Sequence, residues 1–271
     1  EIMADPTPAA GLPEVEWLEL FNRSAKTIDL ATLRIQDATG APVQLPSYIF
    51  PPDSYIVLTA NANVASMQAV ANGPVIGIAV SSTLLNNDGD VLTISNLDGN
   101  VIDRAAYSVG WHTDPDKSSG GWSLERINPD LPCAGGENWQ SCPILPGGTP
   151  GAQNASFQNT PDNEPPRLIS ATPESATSVL LTFSESLKKT AAEMPADYHI
   201  SPPRGISSAE QLPDDRSKIR LLLAQPLEVS TIYAITVEST ITDCSGNGVP
   251  QTDTAFFALP ETPELYDVII N

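Results

Sequence analysis

Short runs of alternating apolar and polar residues, each stopped by a turn signal, most constrain how this chain can fold. Residues 16–22 form one such run, and residues 91–95 and 101–107 form two more on either side of Asp98-Gly99. Alternation with a period of two places successive side chains on opposite faces of a β-strand. An Asp-Gly pair between two such runs favours a tight hairpin. The pattern predicts an all-β protein built from short antiparallel strands.

The same kind of pattern continues to the end of the chain. Proline and glycine account for 26 and 17 of the 271 residues and have no period, which favours many turns over long helices. Only residues 64–72 in the first half have helical spacing of apolar residues, and Gly73-Pro74 should end that helix. The second half restarts with strand patterns at the spacing of a β-sandwich. These predicted strands are residues 167–171, 179–183, 198–200, 218–223, 233–238 and 254–258.

Length and local composition divide the chain into two domains. A chain of 271 residues is long for one domain and ordinary for two. The stretch 158–166 is polar and rich in proline, which is typical of a stiff linker. We predict two Ig-like antiparallel β-sandwich domains in tandem, over residues 1–157 and 167–260. Residues 261–271 would then be a linker strand or the start of a following repeat.

The two ends of the chain resemble the halves of one strand. Residues 266–271 form an apolar run with no turn after it, and Ile2-Met3 is an apolar pair soon stopped by Asp5-Pro6. Written head to tail, the two ends make one continuous strand, so we expect one period of a longer tandem array. The alternative is a frayed apolar terminus. In an array, residues 266–271 would pair with a neighbouring copy by β-strand addition.

The charge of the chain excludes two classes of partner. It carries 33 acidic and 13 basic side chains, a formal charge of −20. Such a chain repels phosphate backbones and anionic lipid, so no nucleic-acid partner and no adsorption to a membrane by charge are expected. It has no apolar run of about 18 residues, so no membrane-spanning segment is predicted.

Three cysteines bear on the compartment in which the protein works. Cys133 and Cys142 flank a short segment that contains Gly135-Gly136, and this flexible spacing predicts a small disulfide-closed loop. Such a bond would stabilise the fold by roughly 2.5–3 kcal/mol in the chain-entropy model and would imply an oxidising compartment. The alternative is two reduced thiols in a loop. Cys244 is expected to be free and buried.

Catalytic patterns are missing from the sequence. Its two histidines, His112 and His199, fall in different predicted domains, and no Gly-x-Ser-x-Gly or His-Glu-x-x-His motif occurs. A hydrolase needs a nucleophile with a positioned base, or a metal with correctly spaced ligands. We therefore predict that the chain is not an enzyme and needs no cofactor.

Two weaker kinds of site are worth testing against a structure. Four carboxylates along the predicted hairpin could supply hard oxygen ligands to calcium, although Asp-Gly turns explain two of them without an ion. These carboxylates are Asp88, Asp90, Asp98 and Asp103. Three tryptophans in polar or glycine-rich segments could form a platform for a glycan, or could instead cap the core. These tryptophans are Trp111, Trp122 and Trp139.

Two ordered sets of motifs resemble known families. The first set comprises Glu1-Ile-Met-Ala-Asp-Pro, Glu16-Trp-Leu-Glu-Leu-Phe-Asn, Leu85-Asn-Asn-Asp-Gly-Asp, Val101-Ile-Asp, Ser123-Leu-Glu-Arg-Ile, Asn138-Trp and Gly148-Thr-Pro-Gly. Together these motifs resemble a bacterial lamin tail domain. The second set comprises Pro165-Pro166, Phe183-Ser-Glu, Ala196-Asp-Tyr-His-Ile and Asp243-Cys-Ser-Gly-Asn. It resembles a bacterial Ig-like domain of the surface-layer (SbsA) type.

The resemblance implies a place outside the cell. This domain pair is similar to parts of large surface or secreted proteins of the Bacteroidota, in which lamin tail domains often sit beside nucleases or other hydrolases. We expect a non-catalytic structural and adhesion module, a spacer that binds protein or glycan partners through its loops. The alternative is an accessory or targeting part of a secreted hydrolase or nuclease whose catalytic domain lies outside this chain.

Overall fold

The alternating runs are β-strands in the structure, a computed structural model that describes residues 1–80, 85–263 and 267. They belong to two units. The first comprises residues 1–132 and 136–160, and the second comprises residues 133–135 and the chain from 161 onward. The predicted tail strand at 266–271 lies outside the described residues, Asp267 excepted.

The first unit is built from three sheets. Its strands are β1 (Ile2–Met3), β2 (Trp17–Phe21), β3 (Ile28–Asp29), β4 (Leu33–Gln36), β5 (Val43–Gln44), β6 (Ile49–Phe50), β7 (Tyr55–Ala60), β8 (Val75–Ile78), β9 (Gly89–Asn96), β10 (Val101–Ser108), β11 (Leu124–Arg126) and β12 (Trp139–Ser141). The strand orders are β12-β11-β1-β2-β7-β8, β10-β9-β4-β5 and β3-β6. All pairs are antiparallel except β7–β8, which is parallel. The short helix α1 (Val64–Gln68) lies in the connection between β7 and β8, where a parallel pair needs a crossover.

The core of the first unit joins the six-stranded and the four-stranded sheets. Leu18 of β2 packs into a cluster with Ile35 of β4 and Leu92 of β9. Its neighbour Trp17 points to the opposite face, where it packs with Met67 of α1. Strand β2 is therefore buried on both faces. This is why its sequence is nearly continuous in large apolar residues around Glu19.

The predicted hairpin at Asp98-Gly99 is confirmed. Strands β9 and β10 pair in antiparallel register, with Ala105 opposite Leu92 and Asp103 opposite Ile94. Gly99 has a φ of 85°, a left-handed conformation that costs glycine little because it has no Cβ. The predicted helix at 64–72 is also present, but α1 ends earlier, at Gln68.

The second unit is an antiparallel sandwich of two sheets. Its strands are β13 (Leu168–Ser175), β14 (Ser178–Phe183), β15 (Tyr198–Ser201), β16 (Ile206–Gln211), β17 (Lys218–Leu223), β18 (Ile232–Val237) and β19 (Thr254–Ala258). They form sheets of order β13-β14-β17-β16 and β15-β18-β19. Alternate residues of β17 and β18 are buried in one core, as the period of two predicts. A single helical turn, α2 (Lys189–Ala192), lies between β14 and β15.

Candidate functional site

The disulfide joins different cysteines from those predicted. Cys133 is bonded to Cys244, with the two Cα atoms 5.7 Å apart and 111 residues between them in sequence. The predicted Cys133–Cys142 pair is therefore wrong, and so is the expectation that Cys244 is free. Cys142 continues β12, and its backbone N–H donates to the Ser123 carbonyl. This bond holds Cys142 in the first unit, whereas the segment Cys133–Gly135 belongs to the second.

Cys142 is a buried, free thiol. Its side chain donates a hydrogen bond to the Ile144 carbonyl. Burial raises the pKa of the thiol to about 12. The thiolate is the reactive form of cysteine, so this side chain is chemically inert in the folded state.

Alkylation should distinguish the three cysteines. We expect iodoacetamide at pH 8, without reductant, to leave the native protein unlabelled and to add one label, at Cys142, after denaturation. Mass spectrometry of the intact and digested protein measures this. Label on Cys142 in the native protein would contradict its burial. Label on Cys133 or Cys244 without reductant would contradict the disulfide.

Three buried glutamates form a polar cluster that the sequence reasoning did not single out. Glu1 accepts hydrogen bonds from the Ser123 hydroxyl at 2.6 Å and from the Thr149 N–H at 2.8 Å. Glu125 accepts from the Thr149 hydroxyl at 3.0 Å and from the Ser156 N–H at 2.7 Å. Thr149 thus lies between two carboxyl groups. For one of the three, Glu19, the sequence did contain a signal, because it lies between the large apolar residues of β2. A strand that is buried on both faces must bury this side chain too.

The third member of this cluster is Glu19. Its carboxyl accepts from the Gly151 N–H at 2.5 Å, and burial raises its pKa to about 8. Burial is also the main cause of the raised pKa of Glu1. The cluster fastens the Gly148-Thr149-Pro150-Gly151 loop to β1, β2 and β11. Its hydrogen bonds explain what this motif contributes to the fold.

The tryptophans do not form one exposed platform. Trp139 is 5% exposed and belongs to the core, so it does not offer a ring face to a glycan. Trp111 packs against it, with ring centroids 5.6 Å apart. Trp122 is half-buried, and the Lys117 ammonium lies 4.2 Å from its ring centroid. Trp139 therefore fits the core alternative, while a ligand role for Trp111 or Trp122 stays a prediction.

The hairpin carboxylates serve separate purposes. Asp90 is buried and accepts from the Ala38 and Val91 N–H groups and from the Asn86 amide. Asp103 pairs with Arg126 at 2.9 Å. Asp88 and Asp98 are exposed in turns. Among the described residues, these four do not converge as a group of metal ligands.

A different set of carboxylates does converge, in the second unit. Asp162, Glu185 and Asp243 each place one oxygen within 4.8 Å of the others, and such hard oxygens suit calcium. One oxygen of Asp243 already accepts from the N–H groups of residues 245, 246 and 247 at 2.7–2.8 Å. The other accepts from the Asn247 amide at 2.8 Å. These hydrogen bonds hold the turn at residues 243–247 together. They also explain why a carboxyl group can be buried at Asp243.

Substitution of Asp243 should expose this role. We expect Asp243→Ala to lower the free energy of unfolding of the second unit by about 1–3 kcal/mol, since several part-buried donors lose their acceptor. Asp243→Asn keeps one acceptor oxygen and should cost less. Urea unfolding followed by far-UV circular dichroism measures both. Equal stability of the alanine variant and the native chain would contradict the assignment.

His112 lies beside a hydroxyl group, but without the geometry of an exposed catalytic site. Its Nδ1 is 2.9 Å from the Ser141 Oγ, and burial lowers the pKa of the imidazole. Ser141 is buried within β12, 5% exposed. The pair therefore presents no accessible nucleophile and is best described as a hydrogen bond of the core.

The first unit also contains a cavity of about 290 Å³. Leu18 and Leu20 line it from the six-stranded sheet, and Leu92 and Ile94 line it from the four-stranded sheet. Ile102 and Phe157, also in its lining, are 58% and 39% exposed, so the cavity has an apolar rim. The ion pair between Arg126 of β11 and Asp103 of β10 links the two sheets beside it.

Comparisons with known proteins identify two families. The lamin tail domain model matches residues 1–108 of the first unit, and a bacterial Ig-like domain model matches residues 162–258 of the second. The first unit is therefore called the lamin tail unit below, and the second the Ig-like unit. Neither description is that of an enzyme family. Strand β11 pairs with β1, so the first sheet extends past the last residue of the lamin tail match. No curated protein matches the chain.

Solved structures give partial matches. A crystal structure of the S-layer protein rSbsC(31-844) is 18% identical over 36% of this chain and 14% of that chain, with a TM-score of 0.33. The N-terminal part of the bacterial S-layer protein SbsC is 18% identical over 35% of this chain and 24% of that chain, with a TM-score of 0.32. The matched region is thus a small part of each S-layer chain. Within the described residues, no helix has both the length and the apolar character needed to cross a membrane.

Proposed function

Because this chain combines a lamin tail domain with a bacterial Ig-like domain, we propose that it is a non-catalytic structural module of an extracellular protein. It spaces neighbouring parts of that protein and transmits tension between them. The observation that carries the proposal is the disulfide between Cys133 and Cys244. Disulfides persist in oxidising compartments outside the cytosol, which supports a secreted or cell-surface location.

The position of this disulfide defines a path for mechanical load. Strands β13 to β18 of the Ig-like unit lie between Cys133 and Cys244 in sequence. They are therefore inside a covalently closed loop. A force applied to the two ends of the chain passes from Cys133 directly to Cys244 and does not extend the residues between them. Of the strands described in the second unit, β19 follows Cys244 and stays under load.

This arrangement suits a spacer that must keep its length. An Ig-like sandwich without such a bond lengthens greatly when it unfolds, because each extended residue contributes about 3.3–3.6 Å. Here the loop protects six strands of the Ig-like core from force, together with β12 of the lamin tail unit. The residues of the lamin tail unit before Cys133 carry the load. Interaction with protein or glycan partners through exposed loops is a second part of the proposal.

Single-molecule force spectroscopy tests the load path. The oxidised chain, pulled by handles fused to both ends, should extend less than the reduced chain by about 370–400 Å, the length of the 111 residues that separate the two cysteines. Cys142→Ser is the matched control and should preserve the difference. A double Cys133→Ala and Cys244→Ala variant should behave like the reduced chain. Equal extension of the oxidised and reduced chains would overturn the proposal.

The accessory alternative makes a different prediction. If the chain targets a secreted hydrolase or nuclease, the sequence that flanks residue 1 or residue 271 in the parent protein should contain a catalytic motif. Peptide mapping of the native parent protein across both ends measures this directly. Further lamin tail and Ig-like sequence would instead support the spacer.

A further inference from the structure

The cavity of the lamin tail unit is apolar inside and unusually rich in cations at its walls. Residues 1–160 contain six lysines and arginines, which are Arg23, Lys26, Arg34, Arg104, Lys117 and Arg126. Three of them, Arg23, Arg104 and Arg126, line this one cavity. The rest of the unit is dominated by acidic side chains. Half of its cations are therefore gathered around one apolar space.

Burial reduces the negative charge that the two glutamates in the same lining carry at neutral pH. The carboxyl of Glu19 has a pKa of about 8 because it is buried, so it is mostly protonated. Burial raises the pKa of Glu1 as well. Asp103 is bound by Arg126, whose guanidinium also lies 5.0 Å from the centre of the Trp139 ring. Arg23 is half-exposed and pairs with Asp130 at the surface.

The walls are suited to an alkyl or aromatic group. Cavities that bind small molecules are mostly apolar, with a few polar groups that set the orientation. Leu92 and Ile94 of β9 line the cavity. Opposite them on β10 lie Ala105, which is small, and Asp103, which is charged. Both of these residues are on the same face of β10 and also line the cavity. The exposed rim at Ile102 and Phe157 gives an apolar entrance.

We propose that this cavity binds an amphipathic anion, a carboxylate that carries an alkyl chain. The alkyl chain lies against Leu92 and Ile94, and the carboxylate pairs with the Arg126 guanidinium in competition with Asp103. The arginine fork is suited to two parallel bonds with a carboxylate. This binding site goes beyond the spacer role, which does not depend on it.

Titration with decanoate tests the proposal on the unmodified chain. We expect saturable binding at one site, followed by methyl NMR, with the largest shifts at Leu18, Leu92 and Ile94. Decanol and decyltrimethylammonium carry the same alkyl chain without the negative charge and should bind about tenfold more weakly or worse. Equal binding of decanol would show that the cavity selects only apolar volume and would overturn the anion assignment. Absence of saturable decanoate binding would overturn the site.

Two pairs of variants locate the ligand. Arg126→Gln should weaken decanoate binding about tenfold or more, and Arg34→Gln, which changes an arginine outside the cavity lining, should not. Ala105→Phe should fill the cavity and abolish binding. Ala106→Phe, at a residue of the same strand outside the cavity lining, should leave binding intact. Unchanged binding in both Arg126→Gln and Ala105→Phe would place the ligand elsewhere and contradict the proposal.

Discussion

Removal of the disulfide between Cys133 and Cys244 is expected to lower the free energy of unfolding by about 2–5 kcal/mol. The bond closes a loop over a sequence separation of 111 residues, and the entropy that such a loop removes from the unfolded chain grows with its length. The effect should be greatest in the Ig-like unit, because most of its core strands lie within the loop.

The measurement can separate the two units by their chromophores. All four tryptophans of the chain precede residue 160, so their fluorescence follows the lamin tail unit, while far-UV circular dichroism follows both. Urea unfolding is compared for the native chain and for Cys133→Ala with Cys244→Ala, each with and without reductant. Reductant should destabilise the native chain and leave the double variant unchanged. If reductant lowered the stability of both chains equally, a role for this bond would be contradicted.

The lamin tail unit is expected to lose stability as the pH rises from about 5 to 8, and Glu19→Gln should remove much of that loss. Folding raises the pKa of Glu19 from 4.5 to about 8, mainly through burial. The unfolded chain therefore releases this proton near pH 4.5, whereas the folded chain holds it until about pH 8. Between these values each pH unit favours unfolding by about 1.4 kcal/mol. The contribution is complete below pH 4.5 and is lost as the pH rises through 8.

The expected difference between the native chain and Glu19→Gln is near zero at pH 5 and on the order of 3–5 kcal/mol at pH 8.5, with the variant more stable. Urea unfolding followed by tryptophan fluorescence measures it at a series of pH values. Comparison at each pH cancels other groups, including His112, whose lowered pKa acts in the opposite direction below pH 6.5. Glu14→Gln changes an exposed glutamate of the same unit and is the matched control. A difference that does not vary with pH would contradict the assignment.

Features that depend on neighbouring residues could be predicted from the sequence. The hairpin at Asp98-Gly99 is one, because alternation and a tight turn together define both strands and their pairing. The alternating burial of β17 is another. The two domain families were also recognisable, because their motifs are short, ordered local patterns. Strand β16 was missed, since its serines and polar residues weaken the apolar alternation.

Features that depend on distant residues were decided by the tertiary structure. The spacing of Cys133 and Cys142 favoured a local bond, but the pairing of β12 with β11 holds Cys142 inside the first unit. Glu1, Glu19 and Glu125 have no sequence pattern in common, and they meet because β1 lies between β2 and β11. The cavity likewise needs residues from both sheets. An all-β chain of two recognisable domains therefore follows from local sequence, because short-range sterics and the hydrophobic period define strands and turns. The pairing of the cysteines, the joint burial of three carboxyl groups and the position of the cavity follow from the tertiary fold, because they depend on which distant strands become neighbours.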